Sequence, residues 1–115
     1  MELTKDSCLL INLDEIVNLA VDFWRFENLW QKSEQSSPAI NHYLRRTRHF
    51  FTKNSIETID LTNQPYTPGL AVEVVDFIEA DENQEALEII SEMISPIVLY
   101  QGKVIRHGQA VIRQG

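Results

Sequence analysis

The chain has 115 residues, of which 43% are apolar, which is enough for one compact domain and more than a disordered acidic tail carries. Its formal net charge of −7 argues against coating a nucleic-acid duplex or binding a membrane through a polybasic face, since both depend on Lys and Arg. The charge is unevenly spread: residues 1–53 hold seven bases and seven acids, whereas residues 54–115 hold three bases and ten acids.

The N-terminus, MELTKDSCLLINLDE, contains a short apolar stretch interrupted by Asn12. It is too short for a signal-peptide core or a membrane span. With Cys8 as the single cysteine no internal disulfide can form, so the expectation is a soluble cytoplasmic protein with Cys8 as a small packed hydrophobe.

Residues 13–34 lack Gly and Pro and read as a long helix, with Asn12 or Asp14 as cap and acids in the first turn. Leu13, Ile16, Val17, Ala20, Phe23, Trp24 and Trp30 follow helical spacing, while Leu19, Val21, Phe26 and Leu29 cover much of the remaining circumference. A helix apolar this far round is expected to be buried on two sides, against its own domain and against a second chain. Phe23, Trp24, Phe26 and Trp30 are therefore the expected dimer interface.

A polar turn over 32–37 leads to Ser37-Pro38, a helix start with Ser as cap and Pro at the first helical position. Ile40, Tyr43, Leu44, Phe50 and Phe51 form an apolar stripe across 38–53, and Arg45, Arg46, Arg48, His49 and Lys53 crowd its last turns. Two helices joined by so short a link form an antiparallel hairpin.

The pattern changes after Asn54. Residues 62–69, TNQPYTPG, are turn chemistry, and residues 70–80, LAVEVVDFIEA, read as a strand rich in β-branched and aromatic residues. In that strand Val72, Val74 and Ile78 fall near one face and Glu73, Val75, Phe77 and Glu79 near the other. Residues 81–85 are a polar turn. Residues 86–94 fit helix and strand periods equally. Residues 96–100 read as a strand, Gln101-Gly102 as a hairpin turn, and 103–106 and 109–113 as further strands. The fold class is α+β: a helical hairpin and dimerisation region over 1–59, then a small, mostly antiparallel β domain over 60–115.

Chemical motifs are sparse. Gly102-Lys103 lacks the upstream glycines of a phosphate-binding loop, and no Gly-x-Ser-x-Gly elbow occurs. His42 and His49 are about 10 Å apart along a helix, too far to share one metal ion unaided. The eight carboxylates of residues 73–92 have no base among them and read as a solvated face, or as a surface for a basic partner. Arg45, Arg46 and Arg48 suit charge complementarity with the acidic half, or with a second copy, better than nucleic acid. No cofactor, no metal and no enzymatic activity is expected.

Asp60-x-x-Asn63-Gln64-Pro65-Tyr66-Thr67-Pro68, then Ala71-Val72-Glu73-Val74-Val75, then Gly102-Lys103-Val104-Ile105-Arg106 with Val111-Ile112, together resemble the β-domain of GrpE. GrpE proteins are the nucleotide-exchange factors of DnaK-type chaperones. Leu44 and Phe50-Phe51, leading to Ile56-Glu57-Thr58-Ile59, are similar to that family's short helical bundle, whereas its long N-terminal coiled coil has no counterpart. Asn63 stands where the family pattern has Gly, and Thr67 where it has Asp.

The resemblance implies strand rather than helix over 86–94, and a homodimer held by its helices that binds a DnaK-type ATPase domain and promotes ADP release. It nominates Tyr66, Lys103, Arg106 and Ile112 as partner contacts. The alternative is a dimeric scaffold or regulator that keeps the fold without exchange activity.

Overall fold

The computed structural model describes residues 7–79 and 87–114. Helix α1 spans Leu13–Lys32 and α2 spans Pro38–Lys53. Six strands follow: β1 (Ile56–Ile59), β2 (Val72–Ile78), β3 (Glu88–Ser95), β4 (Ile97–Tyr100), β5 (Lys103–Arg106) and β6 (Gly108–Gln114). The architecture is α+β, as the sequence pattern indicates.

Both helices begin where side chains serve the otherwise unpaired first-turn amides. The Asn12 carboxamide oxygen accepts from the Asp14 N–H at 2.8 Å, and the Ser37 hydroxyl accepts from the Ile40 N–H at 3.3 Å. Helix α2 ends at Asn54, whose side-chain amide donates to the Phe50 carbonyl at 2.8 Å. Ser55 then enters the left-handed region at φ 63° and turns the chain into β1.

The helices run antiparallel, held by Phe23 and Phe26 against Tyr43 (ring centroids 6.4 Å apart in each pair) and by Phe23 against Phe51 at 5.8 Å. Near the hairpin turn the Trp30 indole N–H donates to the Asn41 side chain at 3.2 Å.

The strands form two three-stranded sheets, β1-β4-β5 and β2-β6-β3. The first is antiparallel throughout; in the second β6 pairs antiparallel with β3 and parallel with β2. The chain crosses between sheets three times, first between β1 and β2. Pro96, fully buried and without an N–H, ends β3 before β4, and His107 separates β5 from β6. At the third crossing Gly108 is packed so closely that a Cβ there would stand 2.7 Å from Met93 Cε, 3.0 Å from the Ser95 carbonyl oxygen and 3.1 Å from the Ile97 nitrogen.

Two apolar clusters result. One joins α1 and α2 to the first sheet through Val17, Val21, Phe23, Phe51, Ile56 and Val98. The other, built on Val72, Ile90, Met93, Ala110 and Ile112, is closed by Trp24. The neighbours Phe23 and Trp24 thus point into different clusters, which couples both sheets to α1.

Residues 86–94, which fit either period, are extended in their described part, and Glu88–Ser95 is a strand. Its two bulges, at Ile90–Glu92 and Met93–Ser95, shift the side-chain alternation and account for the mixed period. Residues 56–59, grouped with the helical region in the sequence reading, pair with β4, because the β-branched run Ile-Glu-Thr-Ile suits a pleated edge and follows a backbone turn. Across 72–78 a bulge between Val74 and Asp76 breaks the simple alternation, placing Val74 and Phe77 opposite the buried Ala110 and Ile112. The polar turn expected at 81–85 lies outside the described residues.

Candidate partner-binding site

The residues nominated as partner contacts fall in three different settings. Lys103 begins β5 and is exposed, directly after a two-residue turn in which Gln101 and Gly102 both have positive φ, 51° and 79°. Positive φ at both central positions is the hairpin geometry that matches strand twist, so β4 and β5 form a tight hairpin with Val104 and Ile105 partly exposed on it.

Arg106, at the far end of β5, turns towards α1: its guanidinium donates to the Asn18 side chain at 2.5 Å and stands 3.8 Å from the Asp14 carboxylate. Its charge serves as a tie between the first sheet and the helix. Tyr66 is half-buried against the second cluster, and its N–H donates to the Glu88 carbonyl at 2.9 Å.

Ile112 corrects the sequence reading. It is 0% exposed, because β6 is the central strand of its sheet and Ile112 faces Trp24's cluster, so it cannot touch a partner at the surface. No hydrogen bond or ion pair among the described residues links any two of these four positions.

The nominated dimer interface divides similarly. Phe23 and Trp24, 9% and 7% exposed, are consumed by the chain's own two clusters, and this replaces the second-chain contact inferred for them. Trp30 is partly covered and hydrogen-bonded to α2. Phe26 remains open, in line with Leu19 and Leu29 on α1 and beside Tyr43 on α2. Leu19 and Phe26 are seven residues apart and share a helix face, so the outward apolar ridge of the hairpin is Leu19, Phe26, Leu29, Tyr43 and Phe50.

Of the basic cluster, Arg45 and Arg46 are exposed, whereas Arg48 pairs with the Glu27 carboxylate beside a cavity of about 360 Å³ that Phe23, Trp24 and Phe51 also line. A second, polar groove of about 640 Å³ lies between α1 and the sheets. There Arg25 donates to the Ser95 hydroxyl at 2.6 Å and to the Ile94 carbonyl at 3.3 Å, and stands 3.8 Å from Asp22. Both grooves hold arginines already paired within the chain. These ties span up to 88 residues, and no local pattern in the sequence signals them.

Of the acidic stretch, Glu73, Asp76, Glu79 and Glu92 are exposed; Asp81, Glu82 and Glu85 lie outside the described residues. Among the described residues no three His, Cys, Asp or Glu side chains converge to hold a metal ion, and no helix is long and apolar enough to cross a membrane. No known family model matches the chain, and no curated protein matches it significantly.

Proposed function

We propose that the chain is a GrpE-like cochaperone or adaptor, which binds the ATPase domain of a DnaK-type chaperone and promotes ADP release. The observation that carries the reading is the order of parts. A helical hairpin is followed by a Pro65-Tyr66-x-Pro68 segment laid along β3, and then by a tight β4–β5 hairpin presenting Lys103.

The action is mechanical. A protein that binds the open form of a nucleotide cleft more tightly than the closed form shifts the equilibrium by that difference in affinity, about 1.4 kcal/mol for each tenfold. Lys103 and Tyr66 are the accessible contacts of this reading, with Arg106 holding the β5 strand in place.

A second reading is a dimeric scaffold that retains the fold without exchange activity. It is favoured by the burial of Ile112 and the engagement of Arg106 by α1, which leave two of the four nominated contacts open. In both readings the outward ridge of the hairpin is covered by a second copy.

Release of fluorescent ADP from a DnaK-type ATPase domain of the same organism separates the two. Accelerated release, reduced by Lys103→Glu, supports the exchange factor. Unchanged release with no complex on gel filtration removes it and leaves the scaffold.

A further inference from the structure

The sheet β2-β6-β3 has two lateral edges, and the chain treats them differently. Alongside β3 lies an extended segment of the chain itself. The Asn63 N–H donates to the Ile90 carbonyl at 2.7 Å, the Ile90 N–H donates to the Gln64 carbonyl at 2.9 Å, and the Tyr66 N–H donates to the Glu88 carbonyl at 2.9 Å. Among the described residues β2 has no such neighbour and pairs with β6 alone.

The side chains of β2 reflect this. Val74, Val75, Phe77 and Ile78 are 40%, 45%, 44% and 48% exposed. Val74 and Phe77 stand opposite Ala110 and Ile112, both fully buried, and so lie on the core side of the sheet; Ile78 stands opposite Arg113, on the other side. Apolar surface is therefore uncovered on both faces of one strand. Its lateral edge carries main-chain groups that no described strand pairs, and an added strand would lie beside the side chains of both faces. Among the described residues, what β2 lacks is a second neighbouring strand.

Charge selects the kind of strand. Glu73, Asp76 and Glu79 are exposed on β2 and just after it, and residues 70–79 contain no Lys or Arg. Glu73 also lines the polar groove with Arg25 and Arg106, and Arg113 stands opposite Ile78 on β6, so Asp76 and Glu79 carry most of the edge's free acidic charge. Like charges placed opposite one another oppose pairing of β2 with a second β2, and the bulge at Val74–Asp76 further discourages indiscriminate pairing. The Asp76 carboxylate also accepts from the Phe77 N–H at 2.8 Å, occupying that amide locally.

We infer that the β2 edge is a docking strand for an extended segment of a partner protein in which apolar residues alternate with Lys or Arg. Main-chain hydrogen bonds add the segment to the sheet, its apolar residues cover Val74, Phe77 and Ile78, and its bases meet Glu73, Asp76 and Glu79. The surface is separate from Lys103, which lies in the other sheet, and from Tyr66, which lies on the β3 side. It stands or falls independently of the proposed exchange activity.

The test titrates the full chain with a labelled synthetic peptide of alternating Lys and Val, and with its Glu–Val counterpart, by fluorescence anisotropy and amide NMR. Expected are saturable binding of the Lys peptide, at least about tenfold tighter than the Glu peptide and weakened by salt, and shifts centred on residues 72–78. Val75→Lys, at an exposed bulge position, should weaken it about tenfold with the fold intact. Glu73→Lys combined with Glu79→Lys should reverse the preference. Equal binding of the two peptides, absence of saturable binding, shifts confined to the helical hairpin, or a self-association abolished by Val75→Lys would each overturn the inference.

Discussion

Gly108 and Gly69 differ in what surrounds them, and this decides what a methyl group would cost at each. At Gly108 two of the three close atoms are backbone, Ser95 O and Ile97 N, belonging to the strands that flank the inter-sheet crossing. They cannot yield without moving β3 or β4. Gly108→Ala is expected to destabilise by about 1–3 kcal/mol, lowering the melting temperature by roughly 5–15 °C. Gly69 has nothing within 4 Å of a Cβ and is not among the positive-φ glycines, so Gly69→Ala should be neutral or stabilise by about 0.4–1 kcal/mol through the unfolded chain. Thermal melts of both variants test the packing at the crossing, and equal melting temperatures would contradict it.

Among the elements, α1 carries the most opposed demands. One flank supplies Phe23 to the first cluster, the next supplies Trp24 to the second, and the outward flank leaves Leu19, Phe26 and Leu29 in solvent beside Tyr43. Substitution of Trp24 therefore bears on folding, at about 3–5 kcal/mol for Trp24→Ala, and says nothing about assembly. Substitution of the outward flank bears on assembly. Leu19→Gln with Phe26→Gln should convert a self-associated form to monomer in analytical ultracentrifugation while changing the melting temperature of the monomer little. An unchanged sedimentation coefficient in the double variant would show that the ridge does not join copies.

At the scale of the whole molecule, shape matters. The principal extents are 69 × 34 × 17 Å and the radius of gyration is 17.7 Å, against about 13 Å for a compact chain of this length. The accessible surface of 8707 Å² likewise exceeds the roughly 6,500 Å² typical of a compact monomer of this mass. The surplus includes the exposed segment 7–12, the outward flank of the hairpin and both faces of β2.

Within this thin body the helical part and the β part are mutually dependent. β1 is hydrogen-bonded to β4, Ile56 packs with Val98, and Trp24 closes the second cluster. A fragment of residues 60–114 lacks all three. It is expected to show no cooperative thermal transition by circular dichroism, whereas the full chain melts in one step; a cooperative melt of the fragment would indicate that the second cluster closes without α1.

The sequence by itself determined both helices, the Ser37-Pro38 start of the second, the β4–β5 turn, most strands and the placement of the excess acid in the second half, while the cap of the first helix was open between Asn12 and Asp14. These depend on neighbours within a few residues, where periodicity, Ser-Pro and Gln-Gly chemistry act directly. The strand character of 88–95 was open on period alone, since its two bulges blur the alternation.

Only the tertiary structure decided which apolar residues are spent internally. Phe23, Trp24 and Ile112 look no different in sequence from Phe26 and Phe77. Burial is set by which elements meet, through contacts spanning dozens of residues, and a period shows that a face is apolar without showing what covers it. The parallel pairing of β2 with β6 and the self-covered edge of β3 are likewise products of topology, and together they leave β2 as the open edge of its sheet among the described residues.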